Sequence, residues 1–205
     1  MDERLIVENL KGQLAPRCRN ILIHQNLATL TGFKDALVKR FGFLPVLNEV
    51  DMILIGEQGQ LYAIEVKCFT VNGGSFNRPF YDGIGQSLSL LRYGFDNVAL
   101  WHIFSDDIDQ VKLDRYGAAT WWFIRNQTGL PLDFTYFKVR GTDRDPQFLV
   151  MQYNSPNTGS ELIPIYNSNF SITWKHPNPF LKTDEGKYLR AALIDALKIG
   201  NIANK

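Results

Sequence analysis

Apolar positions along this chain follow two rhythms, one helical and one strand-like. Leu5, Ile6, Leu10 and Leu14 lean to one side of a helix over 3–14, after which Ala15–Arg19 reads as a break. Leu30, Phe33, Leu37 and Phe41 recur at helical spacing over about 29–41, with Gly42 as the stop. Apolar runs at 45–55 and 60–69 are predicted strands joined by a turn at Gly56–Gly59, and TVNGGSFNRP reads as an irregular loop. A third helix is expected from Pro79 to Tyr93, closed by Gly94, followed by a buried strand in VALWHIF at 98–104. A further helix is expected over 107–127, its start marked by Asp106–Asp107, and LDFTYFKV and PQFLVMQYN read as two more strands. Past Asn154 the pattern fades: SPNTGS is a turn, HPNPF a loop, and GKYLRAALIDALKIG an amphipathic helix. Helices interleaved with strands in this way predict an α/β fold, a central mixed sheet flanked by helices.

Composition narrows this only mildly. A chain of 205 residues, 45% apolar and 13% aromatic, suits one packed domain. Its expected core spans about 1–154, with 155–205 as an extension ending in a helix. The net charge of +1 supplies no global field for a polyanion, so any nucleic-acid surface must be a local patch. Such a patch is one reading of Lys175, His176, Lys182, Lys187 and Arg190, although a solvated face diluted by Asp184 and Glu185 is the more ordinary one. Cys18 and Cys68 are too few for a disulfide scaffold, and the N-terminus lacks a cleavable signal pattern. No apolar run approaches a membrane span, so a cytoplasmic protein is expected.

The chemistry concentrates in NEVDMILIGEQGQLYAIEVK, residues 48–67. Side chains alternate across a strand, so Glu65 and Lys67 share one face, as do Glu49 and Asp51 on the preceding strand. If the two strands pair antiparallel, several acids and one lysine meet over a small area, which is costly unless a cation neutralises it.

Asp51 followed by Glu65, Val66 and Lys67 resembles the spaced acid, acid-X-lysine pattern of the PD-(D/E)XK nuclease superfamily. The helix in YDGIGQSLSLLRYGF is similar to the glutamine- and tyrosine-bearing helix that follows the motif lysine in many members. The resemblance covers roughly residues 1 to 105, and its layout is similar to archaeal and viral Holliday-junction-resolvase-like nucleases. The superfamily's leading proline is replaced by Val50. The resemblance implies a restriction-endonuclease-like fold and a metal-dependent deoxyribonuclease, endonuclease or exonuclease, acting as a homodimer by analogy.

Asp51 and Glu65, with the backbone carbonyl of Val66, would then hold Mg²⁺ or Mn²⁺, a hard-oxygen donor set suited to such ions. Lys67 would hold the attacking water. Gln86 would support it, since Gln86, Leu90 and Tyr93 fall on one helical stripe; a packing glutamine is an equal alternative. Gly83 and Gly85 are costly within a helix and imply close approach to the sheet or substrate. Additional carboxylates are sought in Glu8, on the first helix but off its apolar stripe, and in Glu49; Asp35 points away. In the loop after the motif, Arg78 and Asn72 are candidate contacts to DNA phosphates, beside Gly73 and Gly74.

Trp121–Trp122 read as core or subunit interface rather than base-stacking platforms. His24, His102 and His176 lack metal-ligand spacing, and His102 reads as a core histidine. The alternatives to a nuclease are a catalytically inactive nucleic-acid- or partner-binding protein on the same fold, and an interaction protein in which the cluster is an ion-pair network.

Overall fold

In the computed structural model, residues 1–45, 49–142, 145–155, 159–164 and 175–199 are described. Seven strands form one mixed sheet in the order β1 (Asn20–Asn26), β2 (Glu49–Ile55), β3 (Leu61–Phe69), β6 (Asn97–Phe104), β7 (Asp133–Thr142), β8 (Asp145–Ser155) and β9 (Gly159–Pro164). A small hairpin of β4 (Val71–Asn72) and β5 (Ser75–Phe76) stands apart. The three central strands β3, β6 and β7 run parallel, while β1 and β2 on one side and β8 and β9 on the other pair antiparallel. The expected mixed sheet flanked by helices is therefore present.

Helices cover both faces of the sheet because its inner strands β2, β3 and β6 carry apolar side chains on both sides. Helix α1 (Glu3–Leu14) starts at Asp2, whose carboxylate accepts the Arg4 N–H, and buries Ile6, Val7, Leu10 and Leu14. Those residues pack on Met52, Leu54, Ile64, Val66 and Trp101. The opposite face holds α2 (Thr31–Phe41), α3 (Ile84–Leu91) and α5 (Asp184–Ala196), whose Phe33, Leu37, Leu90 and Leu189 meet Ile53, Ala63 and Leu100. Helix α4 (Gln110–Trp122) covers a third cluster around Phe69 and Phe104.

Several elements differ from the sequence expectation, each for a local reason. Strand β1 was not expected: Asn20, His24, Gln25 and Asn26 obscure its alternation, and Ile21 is its one fully buried residue. Helix α3 is shorter than 79–93 because Gly83, at φ +85°, precedes its first turn, and Pro79–Asp82 form a turn of their own. Helix α4 starts at Gln110, not 107, because Asp109 caps it by accepting the Lys112 N–H. The loop at 70–79 contains the β4–β5 hairpin. Part of SPNTGS belongs to β8 and β9, and Pro179–Lys182 in the HPNPF region make a short 3₁₀ turn. Residues 46–48 of the expected strand at 45–55 and residues 156–158 of SPNTGS lie outside the described residues. Trp121 and Trp122 are half exposed rather than core. Among the described residues no helix is long and apolar enough to cross a membrane.

Candidate active site

The β2–β3 ladder is short, and what happens at its end builds the site. Antiparallel pairing runs from Ile55↔Leu61 to Met52↔Ile64 and then stops, while β3 continues to Phe69. On β3, alternate N–H groups point to the β2 edge, so beyond Ile64 the amides of Val66 and Cys68 face that edge without a ladder partner. A buried N–H must be satisfied, and here two carboxylates do it. Val66 N–H donates to Asp51 Oδ2 at 2.7 Å, and Cys68 N–H donates to Glu3 Oε2 at 3.2 Å. Orphaned backbone donors thus draw two acids into the split between the strands.

Glu65 and Lys67 alternate with Val66 and Cys68 and point to the other face, toward the start of α3. Glu65 is 1% exposed and Lys67 5% exposed. Lys67 Nζ donates to Glu65 Oε1 at 2.6 Å, and Glu3 Oε1 lies 3.7 Å from the same ammonium. Glu3 also reaches Arg78 at 3.4 Å, and Arg78 pairs with Asp82 at 2.8 Å. The packing against α3 is tight: a Cβ on Gly83 would sit 2.9 Å from Lys67 Cγ and 2.6 Å from Leu100 Cδ1.

The electrostatics are unbalanced toward negative charge. Burial, and then the neighbouring Asp51 charge, push the Glu65 carboxyl up to about 7, against the pull of Lys67. Burial also raises Asp51, offset in part by the Val66 hydrogen bond and Lys67. Desolvation works against the Lys67 ammonium, but Glu65, with Glu3 and Asp51, more than compensates and holds its pKa above the ordinary lysine value. Glu65 Oε2 is buried with no hydrogen-bond donor. The cluster therefore carries an acceptor and negative charge that the protein itself leaves uncompensated, which is the condition a divalent cation fits.

A second set of donors adjoins Asp51 on the β1 side. His24, Glu49 and Asp51 each place one ligand atom within 4.8 Å of the others. His24 Nδ1 lies 3.3 Å from Glu49 Oε1, and Arg4 reaches the other Glu49 oxygen at 3.5 Å. His24 holds a left-handed φ of +51°, and the β1–β2 register passes from Ile23↔Met52 to Gln25↔Val50 without pairing His24 with Asp51. That break in the register falls at the residue whose ring nitrogen approaches Glu49, in a backbone conformation that non-glycine residues adopt uncommonly. The donor set of one nitrogen and two carboxylates suits a transition ion such as Mn²⁺ better than Mg²⁺.

The structure brings together Asp51, Glu65, Val66 and Lys67 of the sequence candidates, with Glu49 beside Asp51 and Arg78 joined through Glu3. Because Val66 N–H faces the open edge, its carbonyl faces it too. Glu8 is exposed on α1 and Asn72 is exposed on the β4–β5 hairpin, neither touching the cluster. Gln86 is half-buried, and among the described residues no contact joins its amide to Asp51, Glu65 or Lys67. Two residues were missed. Glu3 stands three, four and seven positions before Ile6, Val7 and Leu10, on the continuation of the buried stripe of α1, a signal that favoured it over Glu8. His24 carried no local signal, since its partners lie on the neighbouring strand. His102 is a core histidine as expected: it is buried against Phe69, its Nε2 lies 3.2 Å from the Asp82 carbonyl, and burial lowers its pKa to about 3. Cys68 faces α1 as a buried thiol whose pKa burial raises.

No protein-family model matches the sequence, and no curated protein does. Among solved structures, SfsA from Pyrococcus furiosus, determined in complex with Ca²⁺, aligns with a TM-score of 0.34 at 13% identity, over 70% of this chain. The chain spans 58% of the length of that SfsA chain.

Proposed function

We propose that this protein is a metal-dependent deoxyribonuclease. The observation that supports it most is the buried, donorless Glu65 Oε2 beside Asp51, with the Glu65 carboxyl pushed up to about 7. Asp51, Glu65 and the Val66 carbonyl would hold Mg²⁺ or Mn²⁺, with His24 and Glu49 extending the donor set on the Asp51 side. Such an ion supplies charge neutralisation and a site for the hydrolytic water. Lys67 keeps its proton through Glu65 and Glu3, so its ammonium donates hydrogen bonds to the water and then to the phosphate oxygen on which charge grows. Glu3 is a positioning residue, holding Lys67 and Arg78 at once. Arg78 and Asn72 steady neighbouring phosphates; Gln86, whose amide has no contact to Asp51, Glu65 or Lys67 among the described residues, is given no part in holding the water.

Incubation with branched, single-stranded and double-stranded DNA, with Mg²⁺, Mn²⁺ or chelator, tests this. Cleavage is expected with either ion and not with chelator, and Lys67→Ala should lower its rate by about 10²–10³. Wild-type rates from a folded Lys67→Ala variant would overturn the mechanism. One observation favours an inactive binder on the same fold: the Lys67 ammonium is already engaged by Glu65 and Glu3. A binder would leave every DNA in the panel intact at all ion concentrations.

A further inference from the structure

A cleft of about 540 Å³ lies beside the cluster, between the β4–β5 hairpin with its following turn and the first turns of α4. Its wall carries Arg78, Lys112 and Arg115, and no carboxylate lines it. Arg78 has two acidic neighbours outside the cleft, Asp82 at 2.8 Å and Glu3 at 3.4 Å, and Lys112 has one, Asp109 at 3.9 Å. Arg115 is exposed and has no ion-pair partner among the described residues. Three cationic side chains with no carboxylate among the lining residues, one of them without an ion-pair partner among the described residues, present donors to an anion.

The floor of the cleft is aromatic and fixed. Phe76 and Tyr116 lie with ring centroids 3.9 Å apart. The Tyr116 hydroxyl donates to the Arg78 carbonyl, and Thr120, one turn on, donates to the Phe80 carbonyl at 2.9 Å. Two residues of α4 at i and i+4 therefore clasp the chain segment that carries Arg78, and the walls are held relative to each other. Cations over an aromatic floor are what an unpaired nucleic-acid strand takes: phosphates on the rim, sugar and base faces on the rings. The depression is open to solvent and has room for one or two nucleotides laid across it; the rings on its floor favour an unpaired strand, whose base faces are free to stack, over a duplex, whose base faces are not.

Arg78 also connects this cleft to the proposed active site, through Glu3 to Lys67. Resting on the nuclease reading, we infer that the cleft holds the unpaired strand next to the bond to be cut, so that the substrate class is DNA with a single-stranded segment. Lys112 and Arg115 are then binding residues for its phosphates.

The test is binding of the full chain to a fluorescent 12-nucleotide single strand and to the blunt duplex of the same sequence, in chelator, across a salt series. Wild type should bind the single strand about tenfold more tightly than the duplex. A Lys112→Gln/Arg115→Gln double variant should lose about tenfold in single-strand affinity, and its salt slope should fall by about 1.4, the loss expected for two phosphate contacts. Both substitutions are at exposed positions, and an unchanged melting temperature shows that the fold is kept. Equal affinity of wild type for both DNAs, or unchanged affinity and slope in the double variant, overturns the inference. Because no metal is present, failure of hydrolysis leaves this result intact, and failure here leaves the cleavage result intact.

Discussion

Glu65 and Lys67 form a closed pair of opposite charge, yet one Glu65 oxygen remains without a donor, and this asymmetry governs how the residue responds to protons and cations. The folded carboxyl is held at about 7, above the ordinary 4.5, chiefly by burial. Between those values the folded protein keeps a proton that the unfolded chain has released, so through this group stability falls as pH rises across that window. The metal-free wild type should therefore lose more melting temperature between pH 5 and pH 8 than Glu65→Gln does, measured in chelator. Added Mn²⁺ should raise the wild-type melting temperature more at pH 8 than at pH 5, because protons compete for the same oxygen. Equal pH profiles for the two proteins would contradict the burial account of Glu65. At this scale the sequence was readable where chemistry is local: the Glu-X-Lys spacing alone puts both groups on one face. It was not readable for Glu3 or His24, whose roles depend on the end of a ladder and on a kink in an unforeseen strand.

Among elements, α3 matters most to the site, through the glycine that precedes it. Gly83 sits at φ +85° with Lys67 and Leu100 close beneath it. A side chain there meets backbone strain of about 1–2 kcal/mol and overpacking of about 1–3 kcal/mol. Gly83→Ala should therefore lower stability by about 2–5 kcal/mol in thermal unfolding. It should also slow cleavage at saturating DNA, because the clash falls on the Lys67 stem. Retained stability and rate would show that α3 does not brace the lysine. Gly85, by contrast, has nothing within 4 Å of a Cβ and carries no such constraint. The sequence pointed to close approach from both glycines but could not separate them, since the distinction is whether the residue precedes the helix or lies within it. Helices α1 and α2 were legible because an unbroken apolar stripe ends in a recognisable stop, Gly42 at φ +77° in the second case. Strand β1 was not, because polar residues interrupt its alternation.

For the whole molecule, the alternation of helical and strand-like periods announces a sheet with helices on both faces, and the fold follows it. What the pattern cannot announce is register. The site exists because β2 leaves β3 after Met52↔Ile64, exposing the Val66 and Cys68 amides to Asp51 and Glu3. A ladder continued two positions further, to Val50↔Val66, would have satisfied Val66 from the backbone and removed its need for the Asp51 carboxylate. The near-neutral total charge likewise conceals the local basic cleft, which forms only when the hairpin meets α4. The measurement that bears most directly on the account is an anomalous-scattering map from crystals soaked in Mn²⁺. The account predicts a peak bound by Asp51 and Glu65 Oε2 at metal–oxygen distances of about 2.1 Å. Saturating Mn²⁺ with no peak between those two carboxylates would contradict it.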